Sequence, residues 1–320
     1  MEKSIQWLNR DDGAKLFLRR WSPQGSPRAV LQIVHGMAEH SLRYEGLADT
    51  LCSAGIDVWA ADQRGHGKTA DLSVNDAGHG GQLGHCADRN GFSAVISDID
   101  AVFDRIEQTY GGENAVPPLF LLGHSWGSFL AQGYAEHRGS RLRGCMLSGT
   151  RGPDGLKISA GAPVISLAAS VKGVRKPSSF IYAMVDGPYN KPFRPNRTRF
   201  DWLSRDEREV DAYIADPLCG FMCSGGFYRD MIQGLKAIHR EESMMGIPRD
   251  LPLYIFCGSA DPVGDMGTSP TALVNAYKKL EIADLEFVLY PDARHETLNE
   301  TNREEVTTNL LAWIEKHLVR

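Results

Sequence analysis

The ten residues Leu119-Phe120-Leu121-Leu122-Gly123-His124-Ser125-Trp126-Gly127-Ser128 constrain this chain more than any others. An apolar run long enough for a buried strand ends on a serine that has glycine two positions before it and two after, and a helical pattern follows from Trp126 to Glu136. A strand that passes through so short a turn into a helix exposes the turn residue. It also brings the flanking positions so close together that side chains do not fit there. The rest of the chain supplies a sheet for such a strand. Ala29–Val34, Ile56–Ala61, Arg143–Ser148, Leu253–Cys257 and Leu285–Tyr290 read as further strands. Helical patterns over Tyr44–Ala54, Phe92–Tyr110, Pro270–Leu280 and a last stretch to His317 alternate with them. This rhythm predicts an α/β fold, a mostly parallel central sheet with helices on both faces. After Thr150 it stops for about 80 residues, far longer than an ordinary connection. The chain therefore divides into a first core part (1–150), an insertion (151–228) and a second core part (229–320).

Composition narrows the partners. Of 320 residues 42% are hydrophobic and 23% charged, and the net charge is -5; nothing here offers the basic face that nucleic acid demands. No run of 18 apolar residues is present to span a bilayer, although peripheral contact with lipid stays open. The first residues lack the pattern of a secretory leader, which gives a cytoplasmic expectation. The six cysteines are scattered and form no disulfide framework. Cys219 and Cys223 have one-turn spacing but lack the second ligand pair of a zinc site. No metal and no cofactor is expected, and composition is silent on oligomeric state.

A serine hydroxyl needs a base to become a nucleophile. Where a serine tops this kind of elbow, the acid and then the histidine follow it in chain order. Two histidines follow the last strands. His295 lies in the loop Pro291-Asp292-Ala293-Arg294-His295-Glu296, whereas His317 ends a helix, where it serves as a C-terminal cation. His295 is the candidate base. Asp261, just past the strand that ends at Cys257, is the candidate acid, with Asp265 in reserve on the outer side of the turn. Upstream, His35-Gly36-Met37 follows a strand; Gly36 lets that loop turn so that the Met37 N–H, with the N–H of Trp126, faces an oxyanion. The loop Asp62-Gln63-Arg64-Gly65-His66-Gly67 reads as a brace. His124 reads as packing, and His79 and His85 as solvated loop residues.

Taken together, His35-Gly36-Met37-Ala38-Glu39-His40-Ser41 with Arg43-Tyr44, Asp62-Gln63-Arg64-Gly65-His66-Gly67, Gly123-His124-Ser125-Trp126-Gly127-Ser128, Gly258-Ser259-Ala260-Asp261 and His295-Glu296 resemble the monoacylglycerol lipase and lysophospholipase group of α/β-hydrolases, also labelled serine aminopeptidase S33. The resemblance implies carboxylic-ester hydrolysis on single-chain lipids. It also implies Ser125, Asp261 and His295 as a triad, Met37 and Trp126 as the oxyanion hole, and the insertion as a cap. That cap either lines an acyl channel or is a satellite core. Trp126 and Ser128 stand where Met and Gly are common in the group, and a bulky Trp126 is expected to reshape the acyl pocket. Three other readings stay open. One is peptide release, with Glu39, Asp186 or Asp216 holding a substrate ammonium; the second is a small-molecule ester hydrolase of the same fold; the third is a ligand sensor without turnover. A carboxylate-nucleophile hydrolase is excluded by the serine at 125.

Overall fold

A computed structural model describes residues 1–111, 115–153 and 156–318. Among them eight strands form one sheet in the order β1-β2-β4-β3-β5-β6-β7-β8: β1 (Glu2–Asn9), β2 (Lys15–Ser22), β3 (Ala29–Val34), β4 (Ile56–Asp62), β5 (Leu119–His124), β6 (Gly144–Ser148), β7 (Leu253–Gly258) and β8 (Leu285–Tyr290). From β3 onward all strands are parallel, while β1 and β2 form an antiparallel hairpin joined antiparallel to β4. This is the mostly parallel sheet that the βα rhythm predicts, in the α/β-hydrolase architecture that the resemblance implies. The hairpin is an addition. On β1 only Leu8 is buried, so the strand lacks an apolar face of its own; it is fixed by pairing, with Trp7 opposite Phe17 and their rings 5.1 Å apart edge to face.

The helices are α1 (Glu45–Ser53), α2 (Gly91–Tyr110), α3 (Trp126–Arg138), α4 (Leu156–Lys172), α5 (Ser179–Val185), α6 (Glu207–Ala215), α7 (Gly225–Ile238), α8 (Glu241–Met244), α9 (Thr268–Lys279) and α10 (Arg303–Lys316). Strand β5 shows how the sheet serves two cores at once, because successive side chains point to opposite faces. Leu119 and Leu121 join the apolar cluster under α2, α3, α7 and α9, whereas Phe120 and Leu122 join the one under α1 and α10. Every residue of β3, β5, β6 and β7 is buried, as befits strands covered on both sides.

Helices α4 to α8 lie between β6 and β7, where the rhythm breaks. Of the expected insertion, residues 154 and 155 lie outside the described residues, and its expected end at 228 falls inside α7. The sequence reading missed α7 because it begins Gly225-Gly226, poor helix formers that read as a break. Ser224 starts the helix instead, its hydroxyl accepting from the Phe227 N–H at 3.1 Å. Glycine at 225 also lets α7 cross α4 closely, since a Cβ there would stand 2.9 Å from Ala169 Cα.

On the other face, α10 is clamped by Trp313. It is 3% exposed, stacked 5.6 Å from Tyr254 and edge-on to Phe120 at 6.2 Å. Trp313→Ala is expected to lower unfolding free energy in urea by about 3–5 kcal/mol; a loss under about 1 kcal/mol would show that α10 packs loosely.

Candidate active site

Strand register brings the site together. Val34 pairs with Gly123, His124 with Ser148, and Gly258 with Tyr290, so the carboxyl ends of β3, β5, β6, β7 and β8 open onto one edge, where open α/β sheets place their ligands. At that edge Ser125 adopts φ 53° and ψ -123°, a conformation that costs a non-glycine residue about 1–3 kcal/mol. The neighbours explain how it is held. A Cβ on Gly123 would stand 2.3 Å from the Gly127 carbonyl oxygen, and one on Gly127 would stand 2.0 Å from that of Val34. The Ser125 N–H donates to the Ser148 carbonyl at 2.9 Å, and its own carbonyl accepts from the Ser128 N–H at 2.8 Å and the Ser128 hydroxyl at 2.6 Å. Ser128 thus ties α3 to the elbow, and its hydroxyl also lies 2.8 Å from Thr150 Oγ1.

His295 stands 2.8 Å through Nε2 from Ser125 Oγ and 2.9 Å through Nδ1 from Asp261 Oδ2. The remaining Asp261 oxygen accepts from the Val263 N–H at 2.8 Å. With Nδ1 donating to the carboxylate, Nε2 carries the lone pair and accepts the serine hydroxyl. Burial pushes the His295 imidazole down, but the Asp261 carboxylate and its hydrogen bond, with Glu296 and Glu39 beyond, outweigh it and raise the pKa above the ordinary 6.5. The loops that carry acid and base interlock, because a Cβ on Gly258 would stand 2.0 Å from the Ala293 carbonyl oxygen. The segment before α6 grips the base as well: the N–H groups of His295 and Glu296 donate to the Trp202 and Leu203 carbonyls at 3.3 and 2.8 Å. Asp265, the reserve acid, is exposed. His317 is buried against Asp284 at 3.0 Å, hydrogen-bonded rather than a free helix-end cation.

Met37 and Trp126 share with Ser125 the wall of a cavity of about 270 Å³. The Trp126 N–H opens α3 and so has no acceptor within the helix. A Cβ on Gly36 would meet Glu39 Oε1 at 2.8 Å and Ser125 Cβ at 3.2 Å; only glycine lets this loop approach. Gln63 links the His35 loop to the Trp126 side chain. Its N–H donates to His35 Nε2 at 3.0 Å, its side-chain amide donates to the His35 carbonyl at 2.6 Å, and its amide oxygen accepts from the Trp126 indole at 2.8 Å. Trp126 is accordingly fixed against Phe92 and Phe227, 5.3 and 4.9 Å between rings, and forms a rigid part of the cavity wall. The brace reading of the 62–67 loop agrees with Arg64, which is paired to Asp98 at 2.7 Å, and with Asp62, which accepts from the Ser41 N–H at 2.9 Å and the Lys68 N–H at 2.8 Å.

One expectation changes here. His85 is not solvated: it is buried and bonded to Ser224 Oγ at 2.9 Å and Asp88 at 3.1 Å, tying the glycine-rich loop to α7. His79 does stay part-exposed, beside Asp76 at 2.8 Å. His124 is packing of a particular kind. Its ring lies 4.9 Å from that of His295, and burial, with repulsion from His295, pushes it down to about 4, which keeps it neutral. Cys219 lies within 4.8 Å of the ligand atoms of His40 and Asp216. Those two are already joined at 2.9 Å, and burial raises the Cys219 thiol, so the group reads as a brace.

The sequence assigns Arg43 and Glu296 no task, and Glu39 only that of holding a substrate ammonium. Arg43 contacts Glu39 at 2.7 Å and both oxygens of Glu296 at 2.6 and 2.7 Å, while Glu39 accepts from the Gly36 N–H and the Tyr44 hydroxyl. The i,i+4 spacing of Glu39 and Arg43 was the available signal. Burial pushes Glu39 up, but Arg43, with His124 and His35, pulls it down to about 2; Glu296 is lowered in the same way, chiefly by Arg43.

The profile of the family described as serine aminopeptidase S33 matches residues 25–302. The chain is 31% identical to the human monoglyceride lipase over 92% of its own length and 84% of that protein's. It is 27% identical over 99% of its length to an uncharacterized abhydrolase domain-containing protein of Dictyostelium discoideum, of which it spans 30%. Among solved structures, a thermostable carboxyl esterase from Bacillus coagulans, in complex with glycerol, superposes with a TM-score of 0.89 at 27% identity, with all of both chains covered.

Arg43→Met leaves two buried carboxylates without their cation, and stability at pH 7 is expected to drop by about 3–5 kcal/mol. Because Glu39 and Glu296 are depressed, the stabilisation they supply is present above the ordinary glutamate pKa and lost as pH falls toward 2. The gap between the variant and the native chain therefore narrows as pH falls from about 5 toward 2 in urea titrations; a gap constant over that range would place the network's contribution elsewhere.

Proposed function

The chain belongs to the serine aminopeptidase S33 family, and from that premise we propose that it is a carboxylic-ester hydrolase that cleaves esters of single-chain lipids through an acyl-enzyme on Ser125. The observation that carries this reading is the hydrogen-bonded line from Ser125 through His295 to Asp261 on the wall of a largely apolar cavity. His295 removes the hydroxyl proton as Oγ attacks the ester carbon, and Asp261 stabilises the imidazolium that results. The N–H groups of Met37 and Trp126 receive the oxyanion, each contributing about 3–4 kcal/mol to the transition state. Return of the proton releases the alcohol, and a water molecule repeats the cycle to free the acid.

Helices α4 to α6, between β6 and β7, act as the cap. Ile165 of α4 and Met184 of α5 contribute to the cavity beside Phe129 and Leu235 of the core side, which favours an acyl channel over a satellite core. Peptide release draws little support: Glu39 is held by Arg43, and Asp216 by His40. Among the described residues no helix is long and apolar enough to cross a membrane, so any approach to lipid is peripheral.

The test is a panel of monoacylglycerols, lysophospholipids, triacylglycerols and aminoacyl amides, with Ser125→Ala as control. Monoacylglycerols or lysophospholipids should be the fastest substrates, and the variant should be inert. Amides turned over faster than esters would overturn the proposal.

Because His295 must be neutral to accept a proton and its pKa is raised, kcat/KM should fall on the acid side through a limb centred above pH 6.5. Asp261→Asn should move that limb to lower pH and reduce kcat by about four orders of magnitude. A limb that stays in place would remove Asp261 from this role.

A further inference from the structure

Asp186, which ends α5, is 7% exposed and lies on the wall of the main cavity. It also borders the narrower space of about 40 Å³ on the other side of Ser125, which His295 and Glu296 line. One of its oxygens, Oδ2, accepts from the Tyr228 hydroxyl. The other, Oδ1, is buried and has no hydrogen-bond partner among the described residues. The same main cavity is walled by Phe129, Ile165, Met184, Ile232 and Leu235, so an all-alkyl chain laid along it would leave that oxygen without water or partner. A buried polar atom left in that state costs about 1–3 kcal/mol.

From this we infer that Asp186 is a specificity-determining residue that selects esters bearing a hydroxyl group near the scissile bond over esters that are alkyl on both sides. The inference rests on the ester-hydrolase reading and names its substrate class. A hydroxyl suits this carboxyl better than an ammonium does. Burial, against the Tyr228 hydrogen bond, pushes Asp186 up to about 7, so both protonation states are populated near neutrality. A hydroxyl donates to the carboxylate and accepts from the acid. An ammonium would have to shed its water in an apolar space, where a single half-ionised partner compensates it poorly. The titratable groups around Asp186 are Tyr228, Tyr182, Tyr189 and Cys223, with the Arg151 guanidinium on the same cavity wall; none adds the second negative charge that a cation site calls for, and Arg151 opposes a substrate ammonium.

Two substrate pairs separate the possible positions of the hydroxyl. A monoacylglycerol against the methyl ester of the same acid tests the alcohol side. A 2- or 3-hydroxyacyl methyl ester against its unsubstituted counterpart tests the acyl side. In the native chain at least one hydroxylated member should be preferred in kcat/KM by about tenfold or more. Asp186→Leu should erase that preference, raising kcat/KM for the alkyl member and lowering it for the hydroxylated one, mainly through KM. Asp186→Asn, which keeps a donor and an acceptor, should retain most of it. Whichever pair responds identifies the side. Ratios identical in the native chain and both variants would overturn the inference, as would a loss confined to aminoacyl esters. Turnover of p-nitrophenyl butyrate by the native chain is the independent readout: its absence would refute the ester-hydrolase reading itself, whereas its presence with unchanged ratios would refute only the role of Asp186. Thermal melting of each variant separates a changed ratio from a misfolded protein.

Discussion

The close approach of three backbones around Ser125 is the constraint on which the rest of the site depends. The carbonyl of Val34 packs where a side chain at 127 would stand, and the carbonyl of Gly127 packs where one at 123 would stand. The strained turn is held because β3, β5 and β6 are already fixed in register by a core on both faces of the sheet. The sheet therefore does more than carry the nucleophile. It supplies the stability that keeps one residue in a conformation a short peptide would abandon.

Around this turn the charges are arranged in two shells with different tasks. The inner one is the Ser125–His295–Asp261 line, in which a buried carboxylate raises the imidazole against the effect of burial. The outer one is Arg43 between Glu39 and Glu296, which fixes the loop containing Gly36 and lies beside the neutral His124. Gln63 joins the His35 loop to the Trp126 indole beside the cavity. Ionic groups so deeply buried are weak contributors to stability when complete, and damaging when broken; their benefit here is a loop and a ring held in one position.

What the sequence reveals follows from how local each signal is. Ser125, Asp261 and His295 are legible because each lies in the loop at the carboxyl end of a strand in a chain whose βα rhythm is strong, and the structure brings these three into hydrogen-bonding distance. The glycines at 36, 123 and 127 are legible for the same reason. The hairpin β1–β2 is not, since β1 exposes most of its length and gains its fold from pairing. Helix α7 is hidden by two glycines that serve tight packing against α4. His85 reads as a solvated loop residue because its partner Ser224 is 139 positions away. Asp186 is legible only as one of three candidates for a substrate ammonium: the folded chain alone shows that, at the end of α5, it borders both spaces beside Ser125.

The central claim is that Ser125 is the nucleophile that carries the acyl group. The most direct test is to react the protein with a fluorophosphonate and map the adduct by peptide mass spectrometry. One adduct per chain on the peptide that contains Ser125, absent from Ser125→Ala and strongly slowed in His295→Ala, is the predicted result. An adduct on another residue, or equal labelling of the Ser125→Ala protein, would contradict the account.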